Sequence, residues 1–434
     1  MKKIHSPIGV LFLLEHVDLG GGSRRIKVYC DFLDRAQFTP SVVVRTPTIL
    51  RDIDGVIGEN TPRLFSKDHQ KILQFCKEQN VKVVYFWYDG QYHEDLYILF
   101  VLCKREGISI IANNVFSYFD EQMDALCDIV AFQTVFMLYK FSKNLPQGID
   151  LSFEKYVLLP NPIYSTYYNK SRLTPKKRTL LRSEFGFSDS DCVVGRFGRN
   201  DIVKWGDVLL STMLILRNEK NIKFLIVGMP RSRRVFMYLL SLFSSSVRKN
   251  VHILAPTKED TTLFSLMQAC DLIGHSVKIG EGCSNAINEC LFWEKAVITN
   301  PTPHCDNGQA EQIIHNKTGI LARGVKEWVH AVQELSTDSI KREMLGKNGH
   351  EFVVSHFDGD RVTKELSALI YRTQGKNVSH TQFGLTTQKF QNYVDEYLGD
   401  SRRSASVLPT SFFHKMFNFG NRIFSFLEFS LFNG

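Results

Sequence analysis

Residues 8–45 read IGVLFLLEHVDLGGGSRRIKVYCDFLDRAQFTPSVVVR. The stretch begins with the apolar run Ile8–Leu14, turns at consecutive glycines, continues in a helical pattern that Ser23 can cap, and ends in a second apolar run, Ser41–Arg45. Apolar runs without alternation predict strands that are buried on both faces, as in a parallel sheet. Strand, crossover helix and parallel strand form the unit from which α/β proteins are built. The stretch therefore predicts an α/β fold.

The same alternation continues through both halves of the chain. In the first half, further strands are predicted at Lys82–Phe86, Ser109–Ala112 and Ile129–Gln133, and Leu158–Pro162 closes this half. In the second half, they are predicted at Val193–Phe197, Phe224–Val227, Val251–Leu254, Leu272–Gly274 and Ala296–Thr299. We therefore expect two doubly wound, Rossmann-like domains that face a central cleft, because ligands of such sheets bind outside the carboxyl ends of the strands.

Five segments are expected along the chain. Residues 1–165 form the first domain, 166–190 a polar linker, and 191–356 the second domain. Residues 357–375 are predicted to form a helix that crosses back to the first domain, and 376–434 form a phenylalanine-rich extension.

Composition excludes several classes of protein. The 434 residues carry 53 Lys and Arg against 45 Asp and Glu, and a net charge of +8 spread along the chain is too weak to indicate nucleic-acid binding. The sequence contains no run of about 18 apolar residues, so it predicts no membrane span. Nine cysteines without a CxxC pair fit a reducing compartment, so a cytoplasmic location is expected.

The strongest chemical signal is the stretch EGCSNAINE, from Glu281 to Glu289. It predicts a loop followed by a helix whose N-terminal amides belong to Cys283, Ser284 and Asn285, and such amides favour an anion. A phosphate there, with a carboxylate on either side to accept hydrogen bonds from hydroxyl groups, suits a sugar nucleotide. The alternative is a helix whose Glu281 only caps and whose Glu289 is solvated.

A pair of cations follows the first strand of the second domain. Arg199 and Lys204 lie in the stretch GRNDIVKWG, in the loop after the strand Val193–Phe197. At the carboxyl end of a strand, one fork-shaped and one point-like cation would neutralise a diphosphate. Two solvated surface charges are the alternative.

In combination, these motifs resemble glycosyltransferase family 4, the large retaining group of GT-B enzymes. The resemblance rests on G-R-x4-K, on an apolar strand ending in Val227-Gly228, and on E-G-x6-E, and it spans roughly Ile8 to Tyr371. Further matches are Pro160-Asn161-Pro162 and the stretch DNGQAEQIIHNKTGILA at 306–322.

The resemblance implies a role for each motif. Arg199 and Lys204 would bind the donor diphosphate, Glu289 would hold the ribose hydroxyls, and Glu281 would lie beside the transferred sugar. The amides of Gly282–Asn285 would contact the sugar and the β-phosphate. The first domain would then take the acceptor and the second the donor nucleotide.

The resemblance also implies contacts from the first domain. Gly21 or Gly22 would let its backbone approach the same phosphate. Many family members carry a histidine beside the donor sugar, and Asn114, Asp89 and His93 are the candidates for that place here. The choice among them stays open.

The implied activity is transfer of a hexose or related sugar from a nucleotide sugar, with a UDP-sugar favoured over a GDP-sugar. The acceptor would be a saccharide or a lipid-linked saccharide, the anomeric configuration would be retained, and surface polysaccharide or glycoconjugate synthesis would be the setting. No metal and no other cofactor are expected. An epimerase, a phosphorylase or a non-catalytic protein of the same fold that binds a sugar nucleotide is the alternative.

The last segment differs in kind from the rest of the chain. Residues 411–434 read SFFHKMFNFGNRIFSFLEFSLFNG and carry eight phenylalanines. Such a cluster should be covered, either by the first domain or by the inner face of a membrane, where Lys415 and Arg422 could meet anionic headgroups. Contact with a membrane or a partner is preferred.

Overall fold

The computed structural model describes residues 6–17, 21–46, 57–58, 60–257, 259–303, 305–376, 378 and 386–399. They form two compact units: one runs up to Ser165 and adds Val354–Glu396, and the other runs from Thr166 to Val353. Gly20 and the phenylalanine-rich stretch 411–434 lie outside the described residues. Each helix in the described ranges is too short or too polar to cross a membrane.

Strands and helices alternate through both units. The strands are β1 (Ile8–Leu14), β2 (Phe38–Val44), β3 (Arg63–Phe65), β4 (Val81–Tyr88), β5 (Ser109–Asn114), β6 (Ile129–Phe132), β7 (Tyr156–Leu158), β8 (Cys192–Arg196), β9 (Ile222–Val227), β10 (Val251–Leu254), β11 (Leu272–His275), β12 (Ala296–Thr299) and β13 (Gly319–Leu321). The helices are α1 (Gly21–Phe32), α2 (His69–Glu78), α3 (Glu94–Arg105), α4 (Glu121–Leu126), α5 (Val135–Asn144), α6 (Ser165–Lys170), α7 (Pro175–Glu184), α8 (Asp207–Leu216), α9 (Arg231–Phe243), α10 (Ser245–Asn250), α11 (Asp260–Ala269), α12 (Asn285–Phe292), α13 (Gly308–Gln312), α14 (Gly324–Thr337), α15 (Ser339–Phe357), α16 (Gly359–Thr373) and α17 (Thr387–Gly399).

The first unit is built on one parallel sheet, with the strand order β3-β2-β1-β4-β5-β6-β7. The chain builds outward from β1 to β3, returns to the other side of β1, and continues from β4 to β7. Two separate clusters of buried apolar side chains are attached to this sheet, since alternate residues of the same strands contribute to each. The sheet is therefore covered on both faces, as its apolar strands predict.

The second unit repeats this topology in the order β10-β9-β8-β11-β12-β13. Here the reversal falls between β8 and β11, where Leu272 lies opposite Val194 and Ile273 lies opposite Gly195. The prediction of two doubly wound parallel sheets is thus confirmed. The predicted cleft between them stays a prediction.

The strands that the sequence analysis missed are β3, β7 and β13. Each has three residues and lies at the edge of its sheet. An edge strand needs only one pairing neighbour, so its sequence is too short to show a pattern.

Helix α16 belongs to the core of the first unit. Its residues Val362 and Leu366 are fully buried in one cluster with Ile26 and Tyr29 of α1. At the start of α16, a Cβ on Gly359 would lie 2.6 Å from Val28 Cγ1, so only glycine allows the two helices to approach this closely. Helix α16 therefore completes the side of the sheet on which α1 packs.

The stretch 166–190, predicted as a linker, contains α7 and most of α6. Arg182 of α7 is fully buried and donates to Asp271 Oδ2 at 2.9 Å and to the carbonyl oxygens of Ala269, Ser188 and Asp191. Asp271 follows α11 and begins the turn into β11. These bonds fasten α7 to the sheet of the second unit, because a buried guanidinium is tolerated only when its donors are used.

We expect Arg182→Ala to destabilise the second unit by about 3–5 kcal/mol, because Asp271 and three carbonyl groups each lose a donor. The measurement is urea unfolding followed by tryptophan fluorescence, since Trp205, Trp293 and Trp328 all lie in this unit. Lys176→Ala, an exposed change on the same helix, is the control and should alter stability by about 0.5 kcal/mol or less. Equal effects of the two changes would contradict the anchoring role of Arg182.

Candidate functional site

Two loops of the second unit meet where its strand order reverses. One loop follows β8 and carries Arg199 and Lys204; the other follows β11 and carries Glu281. Because β8 and β11 pair in parallel, both loops leave the same edge of the sheet. In doubly wound sheets, this crevice at the carboxyl ends of the strands is where ligands bind.

The loop that carries Glu281 is held by its backbone. The Glu281 N–H donates to Gln309 Oε1 at 3.0 Å, and the Glu281 carbonyl accepts from the Gly308 N–H at 2.8 Å. Gly280 has a φ of +71° and lies against the Asp306 carbonyl, where a Cβ would collide. The position of the carboxylate therefore depends on α13, whose residues lie almost thirty positions further along the chain.

The Glu281 carboxylate has a histidine and a lysine as neighbours. Its Oε2 lies 3.3 Å from His275 Nε2, which lies 3.2 Å from Ser284 Oγ. Burial alone would raise the pKa of Glu281, but hydrogen bonds from His275 and Ser284 and the charge of Lys204 lower the pKa to about 2. Glu281 is therefore an anion at neutral pH and is suited to accept hydrogen bonds, not to donate a proton.

Lys204 is brought to this carboxylate, and Arg199 lies further out. Lys204 is half-buried and its Nζ donates to the Gly280 carbonyl at 3.1 Å, one residue before Glu281. Arg199 is exposed in the same loop as Lys204. Lys204 thus lies beside Glu281, and the predicted binding of a diphosphate by Lys204 and Arg199 stays a prediction.

A second cation, Arg196, was missed by the sequence analysis. It lies at the end of β8, is 2% exposed, stacks on the Trp205 ring at 4.9 Å, and donates from Nη1 to the Phe197 carbonyl at 2.7 Å. A side chain on Gly198 would collide with this guanidinium. Burial lowers the pKa of Arg196 to about 10, and the negative charge of Glu281 opposes that effect, so Arg196 stays charged at neutral pH.

His275 was also missed. It is the last residue of β11 and is 2% exposed. An isolated histidine at the end of a predicted strand carries no signal of its own, and only its position six residues before Glu281 could have drawn attention to it.

The amides at the start of α12 are partly in use. The Ser284 N–H donates to Gln312 Oε1 at 2.7 Å, and Gln312 Nε2 donates to the Ser284 carbonyl and to Asn288 Oδ1. The anion site was predicted on the amides of Cys283, Ser284 and Asn285, and one of these donors, the Ser284 N–H, is already paired within the protein. The reason is the glutamine of α13, whose amide group satisfies Ser284 on both sides.

Glu289 lies on α12 and is 3% exposed, so the alternative of a solvated Glu289 is wrong. Tyr168 of α6 donates its hydroxyl to Glu289 Oε1 at 3.4 Å. Tyr168 itself packs between the rings of Phe264 and Phe292. Glu289, the second carboxylate of the motif, is thus held within the second unit and lies beside α6.

The first unit carries the remaining predicted residues. Gly21 and Gly22 form the N-terminal end of α1. Asn114 is fully buried, and its Oδ1 accepts from the backbone N–H groups of Phe116 and Ser117. The side chain of Asn114 thus holds the turn after β5.

Asp89 and His93 form an accessible pair in the loop after β4. His93 Nε2 lies 2.9 Å from both carboxylate oxygens of Asp89, and the two side chains are 46% and 29% exposed. Among the candidates for the place of the family histidine, these two keep contact with solvent, whereas Asn114 does not.

Comparison with known proteins agrees with this architecture. Residues 177–352 match the family model described as Glycosyl transferases group 1, which is less than half of the chain. No curated protein matches. A glycosyltransferase from Rickettsia africae has a similar structure, with a TM-score of 0.69 and 15% identity over 86% of this chain and 100% of that one.

Two further solved structures are similar at the same level. Anabaena HepE, in complex with UDP and glucose, has a TM-score of 0.66 and 15% identity over 84% of this chain and 100% of that one. Sucrose-phosphate synthase from Thermosynechococcus elongatus has a TM-score of 0.64 and 13% identity over 85% and 99%. At these identities, the likeness shows the fold, which is the GT-B type of two-domain α/β fold. Together with the group 1 domain, it supports a GT-B glycosyltransferase.

The low pKa of Glu281 predicts a pH effect. Its pKa is about 2 in the folded protein and near 4.5 when unperturbed, so its ionised form stabilises the folded state fully above pH 4.5. That contribution is lost as the pH falls from 4.5 toward 2. We expect the melting temperature of the wild type to fall more steeply than that of Glu281→Gln in this window, and parallel curves would contradict the assignment.

Proposed function

We propose that this protein is a glycosyltransferase that moves a hexose or related sugar from a nucleotide sugar, a UDP-sugar rather than a GDP-sugar, to a saccharide or lipid-linked acceptor. The observation that carries the proposal is the meeting of Lys204 and Glu281 at the strand-order reversal of the second sheet. A cation and an anion at one crevice suit a ligand with a diphosphate at one end and hydroxyl groups at the other.

Each of the two charges has a separate task in this proposal. Lys204 and Arg199 neutralise the charge that develops on the diphosphate as it leaves the sugar, and buried Arg196 adds positive potential beneath the same loop. Glu281 accepts hydrogen bonds from sugar hydroxyls and so orients the sugar. His275 donates to Glu281 and holds the carboxylate in place, which makes it a positioning residue.

The nucleoside end of the donor is assigned to Glu289 and the amides around Gly282 and Cys283. Glu289 is the proposed acceptor for the ribose hydroxyls, next to the hydroxyl of Tyr168. HepE was solved with UDP and glucose and with UDP-glucose, which is the ligand chemistry that the proposal assumes for this chain. Gly21 and Gly22 would meet the same phosphate from the first unit.

The setting of the reaction is part of the proposal. We place the enzyme in the cytoplasm, at the inner face of the membrane, in the synthesis of surface polysaccharide or glycoconjugate. The cations of the β8 loop supply positive charge at the diphosphate, so no metal and no other cofactor is assigned. The phenylalanine-rich segment 411–434 stays the predicted contact with a membrane or a partner.

Lys204→Ala should weaken UDP binding by about 1.5–3 kcal/mol, because it removes a charge-assisted contact with the diphosphate. Glu281→Gln should reduce turnover more than UDP affinity, because its partner is the sugar. Calorimetry with UDP and GDP and a turnover assay with UDP-sugars measure both. Lys326→Ala, an exposed change on α14, is the matched control. Unchanged nucleotide affinity in Lys204→Ala would remove the basis of the proposal.

We expect the product to keep the anomeric configuration of the donor sugar. The ionised state of Glu281 agrees with this expectation, because a carboxylate with a pKa of about 2 is too weak a base to activate an acceptor for inversion. Proton NMR of the product formed early in the reaction reads the configuration directly. Inverted product would contradict a retaining mechanism while leaving transfer itself intact.

A further inference from the structure

Helix α9 carries apolar side chains on the face that it turns to solvent. Val235, Tyr238, Leu239, Leu242 and Phe243 are exposed by 36%, 64%, 41%, 53% and 89%. Their spacing puts them on one side of the helix, and we call this set the α9 face. A surface helix ordinarily turns polar residues outward, so a continuous apolar strip of this kind marks a contact surface.

The opposite side of α9 explains how the helix is fixed. Met237 is buried in the core of the second unit, and Arg233 is 6% exposed and donates to both carboxylate oxygens of Asp207 at 2.8 Å. Arg233 at the start of this helix is therefore buried and paired, because α8 supplies a carboxylate. The helix thus has a firm attachment on one side and the α9 face on the other.

Positive charge flanks the α9 face at both ends. Residues 229–250 contain five Arg and Lys and no Asp or Glu. Arg234 is exposed at the start of the helix, and Arg248 and Lys249 are exposed on α10, which follows it directly. An apolar strip between cations, without an acidic residue in the segment, is complementary to a surface that is apolar inside and anionic at its boundary.

This charge pattern argues against two other occupants. In a pair of copies that contact each other through α9, both ends of the helix are basic, so either relative orientation brings cations together. The C-terminal residues 400–434 carry four Lys and Arg against two Asp and Glu, so they would also bring like charge to the surface. An anionic lipid surface satisfies both the apolar strip and the cations.

We propose that the α9 face inserts into the interface of an anionic lipid bilayer, with Arg234, Arg248 and Lys249 at the lipid phosphates. A helix of 13 residues is about 20 Å long and lies in the plane of the interface instead of crossing it. Apolar burial and attraction to anionic lipid add together in such binding.

The position of α9 relates the contact to the candidate site. The turn that leads into α9 contains Gly228, which has a φ of +82° and lies directly against the Gly198 carbonyl in the loop after β8. Helix α9 therefore starts at the sheet edge that carries Lys204. A bilayer bound by the α9 face keeps this edge of the second unit near the lipid surface.

The test is sedimentation of the full chain with vesicles of phosphatidylcholine alone and of phosphatidylcholine mixed with phosphatidylglycerol. The wild type should bind the mixed vesicles and bind less as salt is added. The triple variant Tyr238→Ser, Leu242→Ser, Phe243→Ser should bind the mixed vesicles at least about tenfold more weakly than the wild type. The matched control is Leu180→Ser with Ile340→Ser, which removes apolar side chains that are 63% and 82% exposed elsewhere on the same unit.

A second pair of variants tests the charges. Arg234→Glu with Arg248→Glu should lower binding to the mixed vesicles about tenfold, whereas Lys326→Glu with Lys347→Glu, exposed on α14 and α15, should have a much smaller effect. All altered side chains are exposed, so the melting temperatures should match that of the wild type.

Three results would overturn the proposal. The first is a wild type that does not bind mixed vesicles, and the second is binding that survives in the α9 serine variant, which would assign the contact to another segment such as 411–434. The third is a wild-type dimer that the serine variant converts to a monomer, which would make the α9 face a contact between copies. None of these results depends on donor binding or turnover, so they are separate from any failure of the proposed function.

Discussion

Strands β8 and β11 are neighbours in the second sheet although β9 and β10 lie between them in the chain. Their parallel pairing brings the loop with Lys204 and the loop with Glu281 to one sheet edge, because parallel strands end on the same side. Without this pairing, the two motifs would be separate charged loops. The remaining features of the site, including the α13 glutamines and buried Arg196, depend on the same arrangement.

The charged side chains at this sheet edge are stabilised by neighbouring protein groups and not mainly by water. Glu281 is one-fifth exposed, yet the hydrogen bonds from His275 and Ser284 and the charge of Lys204 keep it ionised. Arg196 is buried deeper, where Trp205 covers it and Gly198 leaves it room. A charge held by fixed neighbours needs little rearrangement when a ligand arrives, and such preorganisation is the main means by which a protein stabilises developing charge.

The second unit combines this polar edge with an outer surface of different character. Helix α9 is tied inward by Arg233 and Asp207, and outward it shows the apolar α9 face between cations. Gly228 connects the two features, since the turn before α9 lies against the loop that carries Lys204. A contact made by α9 would therefore act on the body that carries the candidate site without using any of its residues.

The fold class follows from the amino-acid sequence, and so does the choice of the loops that form the candidate site. The apolar runs at Ile8–Leu14 and Ala296–Thr299 coincide with strands, because a strand buried on both faces is apolar along its length. The E-x7-E and R-x4-K spacings located the loops at which ligands of such a fold bind. The short edge strands β3, β7 and β13 left no comparable pattern.

Which of these polar groups are partners depends on the folded arrangement of the chain. Gln312 captures the Ser284 amide, Asn114 is used by its own turn, and Arg196 turns inward beneath Trp205. The Asn114 bonds stay within its own turn, but the contacts of Gln312 and Arg196 do not follow from local spacing, because each depends on which side chains the folded chain brings together. Local patterns determine which segments are buried, and the pairing of distant segments determines what the polar groups meet there.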